Sequence, residues 1–172
     1  MSKIERSKVT ARILIEIGAI NFSLMSPFKL SSGFLSPSYI DWRKIIAYPL
    51  AFKSITDMMI DTIKFDMVSQ RPSYIIGGET AGIPFAAVIA QKMGLPLSYV
   101  RKQPKDHGKN KLIEGEILKG KNSLLVEDLM TDGQSKINFV KNIRAHDIYC
   151  NLSLVVFRYN IFNNAARALK RN

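Results

Sequence analysis

A chain of 172 residues, 47% hydrophobic and 23% charged, has the length and balance of one globular domain with one core. It holds no apolar run near the ~20 residues that cross a bilayer, and its start, MSKIERSKVTARILIEIG, mixes charge into an amphipathic pattern without a signal-peptide core; a cytoplasmic protein with no membrane partner is expected. The 25 Lys and Arg against 14 Asp and Glu leave a net charge of +11, which calls for an anionic partner, yet no aromatic–basic interleaving, helix-turn-helix, zinc-finger or RNP-like pattern points to nucleic acid.

Residues 4–25 read as a helix, because Val9, Ile13, Ile17, Ile20 and Leu24 recur at helical spacing. Residues 26–42, rich in Ser, Gly and Pro, read as a loop or short hairpin. Pro49 opens a second helix with Phe52, Ile55, Met59 and Ile63 as its inner stripe. From there the style changes. Tyr74-Ile75-Ile76 is a short strand ending in Gly77-Gly78. A helix over 82–93 follows, stopped by Gly94. Leu97 to Val100 is a second strand, and the polar, glycine-bearing residues 102–121 read as a long loop or mobile arm. Ser123 to Val126 is a third strand, ending on Glu127-Asp128. Residues 134–146 form a helix with Phe139, Val140 and Ile143 inward, and 148–157 form a fourth strand. Cys150, the only cysteine, lies within it as a buried small hydrophobe; with His107 and His146 the only histidines, no intrachain disulfide or ordinary structural zinc site can form.

Strands alternating with helices predict an α/β fold with a mostly parallel, twisted sheet. Ligands of such sheets sit at the carboxyl ends of the strands, and three of those ends are unusual here. Gly77-Gly78-Glu79-Thr80-Ala81-Gly82 is a small-residue turn whose N–H groups can approach an anion, with a helix pointing its positive end at the same place. In LLVEDLMTDGQSK, an apolar strand runs into Glu127 and Asp128, which can accept protons from vicinal ribose hydroxyls. Thr131, Asp132, Gly133, Gln134 and Ser135 follow and can give hydroxyl and N–H groups to a phosphate at the helix start. Arg101, Lys102, Lys105 and His107 stand close together at the root of the long loop, where a cationic arm can close over a polyphosphate.

These residues carry a family resemblance. LLVEDLMTDGQSK resembles the phosphoribosyl pyrophosphate signature of type I phosphoribosyltransferases. YVRKQPKDHGKNKLIEGEI resembles the catalytic loop of the orotate-specific members. FKLSSGFLSPSYID resembles their orotate-side segment, and GGETAGIPFA their pyrophosphate loop. The likeness runs in order from about residue 10 to residue 162. The chain departs from the common pattern at Ser31, Phe34 and Ala81, where many members carry basic residues, and at Gln134, where a small residue is usual.

The resemblance implies a single phosphoribosyltransferase domain. It divides into a hood segment over 1–48, an α/β core over 49–160 and a basic tail over 161–172, with a shorter C-terminal part than is usual in the family. It implies a transferase that makes orotidine 5′-monophosphate in pyrimidine biosynthesis. Glu127, Asp128, residues 131–135 and residues 78–82 would bind phosphoribosyl pyrophosphate. Ser31, Tyr39, Ile40, Thr131 and Arg158 would bind orotate. Arg101, Lys102, Lys105, His107 and Asp128 would serve catalysis. Mg²⁺ would be held mainly by substrate and water rather than by protein ligands. A homodimer whose 101–115 loops cross to the partner's active site is implied too. Two alternatives stay open: a phosphoribosyl-pyrophosphate-binding regulator without catalysis, and a transferase for another base.

Overall fold

The computed structural model describes residues 1–30, 33–104 and 112–159. The chain forms two compact units, Met1–Met58 and Met59–Asn172.

In the first unit, α1 (Lys3–Glu16) starts on a reciprocal cap: Ser2 Oγ accepts from the Glu5 N–H, and Glu5 Oε2 accepts from the Ser2 N–H at 2.7 Å. The helix is shorter than the 4–25 expected. Gly18 takes a left-handed φ of +62°, and the chain turns into β1 (Ile20–Phe22). Ile20 and Leu24 continued the helical spacing only by coincidence, and Leu24 is exposed. A hairpin of β2 (Phe28–Lys29) and β3 (Leu35–Ser36) follows. Next, β4 (Ser38–Ile40) pairs antiparallel with β1, Ile20 opposite Ile40. A 3₁₀ stretch over Trp42–Ala47 turns Trp42 and Ile45 inward beside the other buried residues of this unit, among them Leu14, Ala19 and Ile40. Pro49 opens α2 (Pro49–Asp61), and the boundary between the two units falls within it. Ile55, Met59 and Ile63 of the expected stripe are buried.

The second unit is a five-stranded sheet in the order β7-β6-β5-β8-β9. Its elements in chain order are β5 (Tyr74–Gly78), α3 (Gly82–Met93), β6 (Leu97–Val100), β7 (Ile113–Gly115), β8 (Asn122–Met130), α4 (Gln134–Arg144) and β9 (Tyr149–Arg158). Strands β6, β5, β8 and β9 run parallel; β7 is antiparallel to β6. Central strands covered on both faces need continuous apolar runs, and Ile75, Ile76, Leu124, Leu125 and Val126 are all 0% exposed. Alternation along the strands separates the faces. Tyr74, Ile76 and Leu125 share one cluster with Phe139, Val140 and Ile143 of α4. Gly77 lies against Ile83 and Ala86 of α3, so Ile75 and Gly77 face that helix.

Two further expectations needed correction. The polar stretch 102–121 is not all loop, since it contains β7, and Arg101 N donates to Leu112 O at 2.8 Å. The third strand does not end before the acids. It runs on to Met130, because β9 continues alongside after β5 has stopped pairing at Val126.

Candidate active site

Three parallel strands, β5, β6 and β8, deliver polar groups at their carboxyl ends. After Gly78 the chain makes a turn over 79–81, with a cis Glu79–Thr80 peptide, before entering α3 at Gly82. The glycines there answer a demand for close approach. A Cβ on Gly78 would lie 2.5 Å from Glu127 Oε1. A Cβ on Gly82 would lie 2.8 Å from the same oxygen and would collide with Val126 O. The turn therefore sits directly on β8 where the two acids emerge.

Glu127 is buried, 5% exposed, beneath that turn. Its Oε2 is 2.6 Å from Lys136 Nζ, and both side chains are sequestered. Burial pushes its carboxyl above the usual carboxylate range, against the opposing pull of Lys136. Asp128 next to it is half-buried, and its Oδ1 accepts from the Leu129 N–H at 2.8 Å. The pair thus divides: one acid points into the protein, the other lies nearer solvent.

The turn into α4 is organised by Asp132, whose Oδ1 accepts from the Gln134 N–H at 3.2 Å and from Thr131 Oγ1 at 3.3 Å. Gly133 precedes the helix with φ +83°, a left-handed conformation suited to glycine. Gln134 reaches along the helix to Asn138. Ser135 lies in the first turn of α4, at the positive end of the helix. Arg158 stands opposite Met130 at the same end of the sheet, and Tyr159 N donates to Met130 O at 3.0 Å.

The third strand end is tied to the first. Glu79 N donates to Val100 O at 2.9 Å, and Glu79 Oε2 accepts from the Lys102 N–H at 2.8 Å. Arg101 Nη1 lies 3.8 Å from Glu79 Oε1 and 3.9 Å from Glu114 Oε1 of β7. The root of the cationic segment is thereby anchored on the 79–81 turn.

The structure thus gathers Gly78, Glu79, Gly82, Arg101, Lys102, Glu127 and Asp128 around the strand ends of one unit, with residues 131–135 following directly from β8. Lys105, His107 and Ser31 lie outside the described residues. Tyr39 and Ile40 belong to the other unit. Tyr39 packs on Phe28 with ring centroids 5.6 Å apart and accepts from Arg43 at 3.3 Å, while Ile40 is buried. Trp42 and Cys150 are core residues, and His146 Nδ1 lies 2.8 Å from Asn142 O at the end of α4. Sequence reasoning missed Lys136 and Glu114. For Lys136 a signal existed, because positions 136, 139, 140 and 143 share one helical face and the last three are apolar.

This fold, with a glycine turn laid over a strand-borne acid pair, defines a class, the phosphoribosyl transferases: the model of the phosphoribosyl transferase domain matches residues 41–165. Among curated relatives, orotate phosphoribosyltransferase of Roseobacter denitrificans is 47% identical over 165 residues, covering 96% of this chain and 73% of that one. The enzyme of that name from Cereibacter sphaeroides is 49% identical over 158 residues, covering 92% and 68%. The crystal structure of orotate phosphoribosyltransferase from Aeropyrum pernix superposes with a TM-score of 0.79 at 31% identity, covering 94% of this chain and 86% of that chain. The chain belongs to the orotate phosphoribosyltransferase family.

Proposed function

We propose that this chain transfers the phosphoribosyl group of phosphoribosyl pyrophosphate to orotate, giving orotidine 5′-monophosphate and pyrophosphate in pyrimidine biosynthesis. The observation that carries this reading is the seating of the 78–82 turn on β8 beside Glu127 and Asp128. It puts an N–H-rich turn for a diphosphate next to a carboxylate for ribose hydroxyls. In the reaction the bond from C1 of ribose to the diphosphate oxygen breaks and a bond to the orotate ring nitrogen forms, with loss of that nitrogen's proton.

In this reading Asp128 accepts hydrogen bonds from the ribose hydroxyls, with Glu127 set behind it. Thr131, Asp132, Gly133, Gln134 and Ser135 enclose the 5′-phosphate, aided by the α4 N-terminus. Gly78, Glu79, Thr80, Ala81 and Gly82 line the diphosphate. Arg101, Lys102, Lys105 and His107 stabilise the leaving diphosphate, with the reactants held in line. Thr131 and Arg158, at the carboxyl end of the sheet, receive orotate. The oxygen-rich, acid-bearing strand end fits a hard cation such as Mg²⁺. Among the described residues no cluster of three or more potential ligands forms; substrate and water would hold the ion in the main, with Asp128, the acid nearer solvent, the protein group that could add to them. When bound, it supplies neutralisation of diphosphate charge. The working form is a cytoplasmic homodimer in which each 101–115 loop serves the partner's site. No helix among the described residues is long and apolar enough to cross a membrane.

The test is base-dependent turnover. Purified chain with phosphoribosyl pyrophosphate and Mg²⁺ consumes orotate and leaves hypoxanthine and uracil unchanged. Turnover of either control base in preference to orotate would reassign the substrate.

A further inference from the structure

The proposed reaction leaves unused a buried cation paired with one of its own acids. Lys136 sits in the first turn of α4 and is 5% exposed. A lysine there is unfavourable twice over: burial strips its hydration, and the positive end of a helix repels a cation. Neither cost would arise with an apolar residue of similar volume, which the neighbouring Ile137, Phe139 and Val140 show this helix can carry. Its partner explains the choice. The ammonium lies 2.6 Å from Glu127 Oε2. The other oxygen of that carboxylate, Oε1, lies against Gly78 and Gly82. One ion pair therefore touches both anion-facing segments, the 78–82 turn on one side and the first turn of α4 on the other.

We infer that Lys136 is a positioning residue for the sugar diphosphate: acting through Glu127, it registers the 78–82 turn against the 131–135 turn and balances the negative charge beside Asp128. The inference rests on the reading of the site given above. Without the ammonium, the negative charge beside Asp128 is no longer balanced, and the carboxylate beneath the turn loses the group that fixes its orientation.

The experiment compares wild type, Lys136→Met, Glu127→Gln and the double variant. Binding of phosphoribosyl pyrophosphate with Mg²⁺ is read by calorimetry, turnover with orotate by steady-state kinetics, and folding by a thermal melt. Each variant should weaken phosphoribosyl pyrophosphate by about 10–100-fold in Kd and KM, the scale on which groups that orient a ligating residue act. The orotate KM should stay within about twofold, a split that general loosening of the fold would not produce. The double variant should bind no worse than Glu127→Gln alone and should melt above Lys136→Met, since it buries no unpaired charge.

A folded Lys136→Met with wild-type Kd and KM for phosphoribosyl pyrophosphate overturns the inference. If that variant does not fold, the double variant decides. Wild-type constants there overturn the inference, as does a loss well beyond that of Glu127→Gln. A wild type that binds phosphoribosyl pyrophosphate but ignores orotate overturns the base assignment alone, and the Kd comparison still decides for Lys136. A wild type that binds none overturns both.

Discussion

Gly82→Ala sets two physical effects against each other, and the structure decides the sign. On helix propensity alone the change should stabilise, by at most the roughly 0.8–1 kcal/mol that favours alanine over glycine in a helix interior, since Gly82 is the first residue of α3. Packing opposes it. The new methyl would lie 2.8 Å from Glu127 Oε1 and 3.0 Å from Glu127 Cα, and it would collide with Val126 O. Two of these contacts are backbone atoms of β8, which β5 and β9 hold on either side up to Val126, so moving the Glu127 side chain alone cannot relieve the clash. Overpacking of this kind costs about 1–3 kcal/mol, which exceeds the propensity gain over most of its range. At about 2–4 °C per kcal/mol for a chain this size, the melting temperature should fall by several degrees. The displaced turn should also raise the KM for phosphoribosyl pyrophosphate. A thermal melt with steady-state kinetics reads both. Gly94→Ala is the control: nothing lies within 4 Å of the added carbon, and only its φ of +65° opposes the change, so it should lower stability and leave the substrate constants alone. A Gly82→Ala protein that melts at or above the wild-type temperature with an unchanged KM would refute the packing argument.

Further outcomes follow from the same geometry. Asp128→Asn should lower kcat/KM for phosphoribosyl pyrophosphate by about 10²–10³ with little change in melting, and Lys105→Ala should lower kcat on the same scale; full activity in either removes that residue from its role. Mixing equal amounts of these two inactive variants should restore roughly a quarter of wild-type activity, since half of the dimers then hold one intact site; no recovery on mixing would deny the crossing loop. Burial raises the Cys150 thiol above its ordinary pKa, so its stabilising contribution is complete below the unfolded value and is lost as pH rises through the folded one. At mildly alkaline pH a thiol reagent should label the native protein far more slowly than the denatured one, and equal rates would contradict the burial.

The alternating core was readable from composition because its causes are local. Tyr74-Ile75-Ile76 had to be covered on both faces, and Gly94 at φ +65° stops α3 where the pattern says it should. What escaped was set by partners distant in sequence. The first helix ends at Glu16 because β1 pairs with β4, some twenty residues on. The acids of β8 lie inside a strand, against their low strand propensity, because β9 continues alongside them. The three residues of β7 have no pattern of their own, and they form a strand on the edge that β6 offers. At the site, the glycine turn and the acids could be read as motifs. The division of labour between Glu127 and Asp128 could not, because it depends on where the turn lands and on which acid Lys136, on the inner face of α4, reaches.

The assigned activity requires that orotate draw the phosphoribosyl group off its diphosphate in this protein's hands. Phosphorus NMR of phosphoribosyl pyrophosphate, Mg²⁺ and the purified chain answers this in one experiment. Adding orotate should convert the diphosphate resonances to free pyrophosphate and the sugar phosphate to a nucleotide monoester, one for one. A spectrum that stays unchanged on adding orotate, or that decays equally fast without it, would contradict the assignment.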